Sequence, residues 1–94
     1  MITISLAPLL LASLYALERE RRAYVAHHPA VLAARAHLRR VTDAALEATA
    51  DTHEHAMHDL ERARFALRRA ETDAGHEFHD AQARRRLGRR AVLS

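Results

Sequence analysis

Leu6-Ala7-Pro8-Leu9-Leu10-Leu11-Ala12-Ser13-Leu14-Tyr15-Ala16-Leu17, running directly into Glu18-Arg19-Glu20-Arg21-Arg22, is the stretch on which the reading of this chain turns. Residues 1–17 carry no charge. On one helix, Leu6, Leu10, Leu14 and Leu17 form a stripe, and Leu9 and Leu11 flank it. A helix that is apolar all round must be covered all round, by lipid or by partner chains. Pro8 falls in the first turn, where proline is tolerated. The six leucines are therefore the expected anchoring residues.

As a membrane span the stretch is short. Ile2 to Leu17 makes about 24 Å of helix against a hydrocarbon core of roughly 30 Å. Tyr15 and Tyr24 suit an interface, and the arginines after Leu17 suit the cytoplasmic side. A membrane anchor at residues 2–17 thus places the long carboxyl-terminal part in the cytoplasm. The competing expectation is a leucine helix buried within a larger cytoplasmic assembly. A cleaved signal peptide is disfavoured because no basic residue precedes the apolar run.

The composition points to an all-α chain. Two glycines and two prolines in 94 residues leave little turn material for a β fold, and Ala, Leu, Arg and Glu are good helix formers. The expected architecture is an apolar amino-terminal helix followed by a helical hairpin or a long coiled-coil-like amphipathic helix. One domain is expected, divided into a first helix within residues 1–28, a second within 29–50, a third within 51–87 and a short tail at 88–94. The chain has no cysteine, which removes disulfides, thiol nucleophiles and thiolate metal sites.

His27-His28-Pro29 marks the first boundary, because proline disfavours helical geometry in the residue before it and is at home at the first position of the next helix. Adjacent histidines point apart on any regular element, so a corner is the simpler reading than a metal site. In the second helix Val31, Ala34, Leu38, Val41, Ala45 and Ala48 share a face, with Leu32 and Leu46 expected to widen it. Arg35, Arg39 and Arg40 lie toward the other side. Near residues 49–52 the apolar register slips, and Asp51 with Glu54 has the form of an amino-terminal capping pair.

The third helix has the clearest pattern. Ala56, Leu60, Ala63, Leu67, Ala70, Ala74 and Ala81 keep heptad spacing, with Met57 and Phe78 beside the seam. Leu60, Leu67 and Phe78 are the expected helix-pairing residues. Gly75 weakens the helix locally, and Gly88 is the expected end of it.

Charge is segregated along the chain. The net +3 resolves into zero over residues 1–17, +2 over 18–50, −4 over 51–80 and +5 over 81–94, and all 15 basic residues are arginine. Arg84, Arg85, Arg86, Arg89 and Arg90 therefore form a candidate anion-binding cluster for nucleic acid phosphates or, beside a membrane, for lipid headgroups. The Arg35, Arg39 and Arg40 strip has no aromatic residues interleaved to form a stacking platform.

The chemistry-bearing candidates are histidines. His55 and His58 with Asp51 and Asp59, and His76 and His79 with Asp80, fall three or four residues apart and are candidate metal ligands. Neither a His-Glu-x-x-His signature nor paired Glu-x-x-His motifs occur. Serines stand only at positions 5, 13 and 94, far from any nucleophile context, and no glycine-rich phosphate loop is present. The expectation is a non-enzymatic structural or interaction subunit, with protein partners or further copies of itself and no cofactor or small-molecule substrate. Basic nucleic-acid binding and histidine-based metal binding are the alternatives.

Overall fold

A computed structural model describes residues 7–93, which are all-helical. The elements are α1 (Ala7–His27), α2 (Pro29–Leu46) and α3 (His53–Leu93). Leu6 and residues 2–5 of the apolar stretch lie outside the described residues.

The α1–α2 corner falls at the single residue His28, whose backbone is extended at φ −64° and ψ 132°. Pro29 then opens α2. The imidazole Nδ1 of His28 accepts a hydrogen bond from the Ala30 backbone N–H at 3.1 Å, so the histidine supplies the amino-terminal cap that Ser, Thr, Asp or Asn provides elsewhere. The neighbouring His27 turns away: its Nδ1 bonds the Ala23 carbonyl at 2.8 Å.

Helix α2 ends at Leu46, short of the expected boundary at 50. Its last turn tightens, with Glu47 N–H donating to the Ala44 carbonyl and Ala48 N–H to the Ala45 carbonyl, each at 3.2 Å. The reversal that follows uses no glycine or proline. Thr49 N–H donates to the Thr52 hydroxyl oxygen at 3.0 Å, and Thr52 N–H returns to the Thr49 carbonyl at 3.1 Å. The Thr52 carbonyl accepts the first bond of α3, from Ala56 N–H at 3.0 Å. Thr52 therefore occupies the cap position expected of Asp51, and the Asp51–Glu54 capping pair does not form. The register is one residue later.

Helices α2 and α3 form an antiparallel hairpin. At one end Val31 packs with Ala74, and at the other Val41, Ala45 and Ala48 line a groove with Ala56 and Asp59. The buried positions of α3 are Leu60, Ala63, Ala74, Gly75 and Phe78, with Ala56, Leu67, Ala70 and Ala81 half-buried. Phe78 lies in the seam, not beside it. On α2, Val31 is fully buried while Leu32 and Leu46 are exposed, so these two leucines do not widen the packed face as expected. They fall outside the narrow strip that an alanine-rich seam can cover.

The core is correspondingly small. Val25 from α1, Val31 from α2 and Ala74 from α3 form its centre, with Leu67 and Ala70 packed against it. Burying a valine contributes about 1.5–3 kcal/mol, so few side chains carry the tertiary structure. Helix α3 runs unbroken through both glycines to Leu93. The expected stop at Gly88 is overturned: no glycine among the described residues adopts positive φ, so neither forms a left-handed helix cap. The resulting molecule is elongated. Its Cα radius of gyration is 20.7 Å and its extents are 73 × 34 × 15 Å, against roughly 12 Å for a compact chain of this length.

Candidate interaction surface

Helix α1 touches the hairpin only through its carboxyl-terminal half. The Tyr24 ring lies 5.7 Å from that of Phe78 on α3 and 5.9 Å from the His28 imidazole. Val25 enters the core. Arg21 lies over the buried Gly75, where a Cβ would stand 3.5 Å from Nη1. His28 Nε2 donates to the Glu77 carboxylate at 2.6 Å. Since Nδ1 is occupied as an acceptor from Ala30, the ring proton belongs on Nε2.

An acid–base cluster stiffens α1 just before this joint. Glu18 accepts from Arg21 Nε at 2.9 Å and Nη2 at 2.7 Å, and from Arg22 Nε at 3.1 Å. The hydrogen bond from Arg21, then that from Arg22, hold the Glu18 carboxyl down at about 2. The same contact raises Arg21 above the ordinary guanidinium value. Both sit on the helix surface, where such pairs are worth little individually. Their consequence is geometric: Arg21 is held forked against its own helix while it crosses Gly75.

Beyond the joint, α1 is bare. Every residue from Ala7 to Ala16 is exposed, and only Leu17 is half-buried. Leu9, Leu10, Leu11, Leu14 and Tyr15 each keep more than 60% of their surface in solvent. Of the six expected anchoring leucines, five are thus described, and four project freely from the chain. No helix among the described residues is long and apolar enough to cross a membrane.

Helix α3 has a bare end too. Every residue from Ala83 to Arg89 is exposed, so Arg84, Arg85, Arg86 and Arg89 face solvent on a continuous helix. The side chain of Arg90 lies outside the described residues. At 100° per residue Arg85, Arg86 and Arg89 cluster on one arc, and Arg84 and Leu87 fall on the opposite one.

The candidate metal ligands do not come together among the described residues. Among the described residues no group of three or more His, Asp and Glu side chains is placed to hold an ion. His55 stands 3.9 Å from Asp59, but Asp51 lies in the turn before α3 and cannot share its face. His58 and His76 are exposed, and His79 stacks edge-on to Phe78 at 5.7 Å. The histidine that matters structurally is His28, which the corner reading located but whose bond to Glu77 no local pattern announces. An open groove of about 520 Å³ runs along one face of α3, lined by Glu61, Arg62, Arg64, Phe65 and Arg68. No family model, curated protein or solved structure matches the chain.

Proposed function

We propose that this protein is a small non-enzymatic helical interaction subunit that docks through the amino-terminal arm of α1 while the α2–α3 hairpin serves as its rigid body. The observation that carries this reading is the exposure of Leu9, Leu10, Leu11 and Leu14, each above 60%. Contiguous apolar surface of this kind on a small chain marks an interaction site. The leucines do not contribute to the chain's own core, so their placement is accounted for by something outside it.

The exposed arginines of α3 support a second reading, in which the chain binds nucleic acid phosphates without reading sequence. That reading leaves the leucine arm without a role, and it is the weaker of the two.

The test is fractionation of untagged wild-type protein and a Leu10→Asp/Leu14→Asp variant from the native host. Both leucines are exposed, so the variant keeps its helices. The wild type is expected in a membrane or large-particle fraction and the variant in the free fraction. If the doubly substituted chain remains fully associated, the docking assignment is wrong.

A further inference from the structure

A single residue separates α1 from α2, and all three helices share its ring. His28 Nδ1 accepts from the Ala30 N–H of α2 at 3.1 Å, and Nε2–H donates to the Glu77 carboxylate of α3 at 2.6 Å. The Tyr24 ring of α1 stands 5.9 Å away, edge to face. Only 22% of the His28 side chain is exposed, so these contacts, more than solvent, complete its hydrogen bonding. The arrangement requires a neutral ring. A neutral imidazole has one donor and one acceptor nitrogen, whereas an imidazolium has two donors and no acceptor.

A proton added at Nδ1 therefore divides the three helices. Toward α2 it is unfavourable: the new Nδ1–H points at the Ala30 N–H, donor against donor, and the charged ring stands at the amino-terminal end of a helix, where the dipole disfavours cations. Toward α3 it is favourable, because the hydrogen bond to Glu77 becomes charge-assisted. Toward α1 it is favourable too. The His28 backbone N–H closes the last turn of α1 onto the Val25 carbonyl at 3.2 Å, so the ring lies at the negative end of that helix dipole. The other ionisable groups at the junction do not reverse this balance. On α1 these are Tyr24, His27, which is turned onto the Ala23 carbonyl, and Arg21, which is engaged by Glu18. On α3, Asp73 and Asp80 stand one turn to either side of Glu77 and add negative charge. The first turn of α2, Pro29-Ala30-Val31-Leu32, has no titratable side chain, and Arg35 is two turns on.

We infer that His28 is a proton-operated selector at the three-helix junction. Neutral, it caps α2 and ties the corner to α3; protonated, it lets go of the α2 amino terminus and stays bound to Glu77. An imidazole ordinarily gains its charge between about pH 5 and 8, so mild acid suffices to work such a device. The corner then lengthens from one residue to the first turn of α2, while α1 stays on α3 through Tyr24, which meets Phe78. Acid thus opens the fold first at the α1–α2 corner, and the crossing from which the leucine arm projects stays closed. This concerns the mounting of the arm and is independent of what the arm docks into.

Nitrogen NMR of the full-length protein between about pH 5 and 8 tests this. At the alkaline end the His28 ring spectrum should show its hydrogen on Nε2. As that ring charges, the protection of the Ala30 amide against hydrogen exchange, corrected for the intrinsic pH dependence of exchange, should fall about five- to tenfold, the size of a lost amino-terminal cap. Protection of the Phe78 amide in α3 should stay level. His28→Asn keeps a cap acceptor that cannot charge, so Ala30 protection in that variant should hold constant over the same range, with circular dichroism confirming that the helices remain. Ala30 protection that is unchanged while the wild-type ring titrates overturns the inference, and so does a hydrogen on Nδ1 at the alkaline end. An equal fall in His28→Asn overturns it as well, by assigning the effect to another group.

Discussion

His28 and Glu77 stand 49 positions apart in the chain and meet at 2.6 Å, imidazole Nε2 to carboxylate. The same ring caps α2 through Nδ1, so one side chain ends α1, starts α2 and ties both to α3. Replacing it removes two functions at once. His28→Ala is expected to cost about 1–2 kcal/mol, as for loss of an amino-terminal cap, and Glu77→Gln less, because the cap survives. Thermal melts of the two variants check the order; a smaller effect for His28→Ala than for Glu77→Gln would contradict the assignment of the cap.

Gly75 is buried beneath Arg21, but an added Cβ would stand at 3.5 Å, an ordinary contact. Its backbone is helical. Gly75→Ala should therefore stabilise the chain by up to about 1 kcal/mol through helix propensity. A drop in melting temperature would show that the crossing of α1 over α3 is tighter than the structure has it.

Phe78 is 6% exposed and carries the aromatic contact between α3 and α1. Phe78→Ala removes about 3–5 kcal/mol, a large share of the roughly 5–15 kcal/mol available to a small domain. Urea unfolding should show a clearly lower midpoint than wild type, with Leu46→Glu as the control. Leu46 is 81% exposed, so that change should stay within about 0.5 kcal/mol.

Glu18 is held ionised by Arg21 and Arg22 down to about pH 2. Because its folded value lies below the ordinary carboxylate range, the contribution to stability is fully present above about pH 4.5 and is lost as the pH falls through 2. A carboxyl carbon NMR titration should show Glu18 changing near pH 2, below the ordinary carboxylate range. Titration in the ordinary range would mean that the forked contact does not persist in solution.

Much of this architecture is legible in the residues. The heptad in α3 identifies Leu60, Ala63 and Ala74, because burial on one helix against another imposes a period that survives in composition; it sets Phe78 beside the seam that Phe78 in fact fills. His28-Pro29 locates the corner, because proline acts on its own neighbour. What escapes is non-local or unorthodox. The Thr49–Thr52 staple replaces the glycine or proline that a reversal between helices ordinarily shows. Gly88 is read as a stop, yet nothing lies within 4 Å of it and no packed element forces the helix to end there. Leu32 and Leu46 look like core from spacing alone, but the seam opposite them is too narrow to reach. Of the interaction surface, the leucines and arginines are visible as runs; where α1 leaves the hairpin depends on how it meets α3, which no spacing encodes.

The elongation of the molecule has a hydrodynamic consequence. A radius of gyration of 20.7 Å, against roughly 12 Å for a compact chain of this length, means that a single copy should emerge from a sizing column calibrated with spherical standards ahead of a globular protein of its own mass. Light scattering or sedimentation equilibrium, which weigh particles without reference to their outline, should return the mass of one chain from that same peak unless the leucine arms have brought copies together.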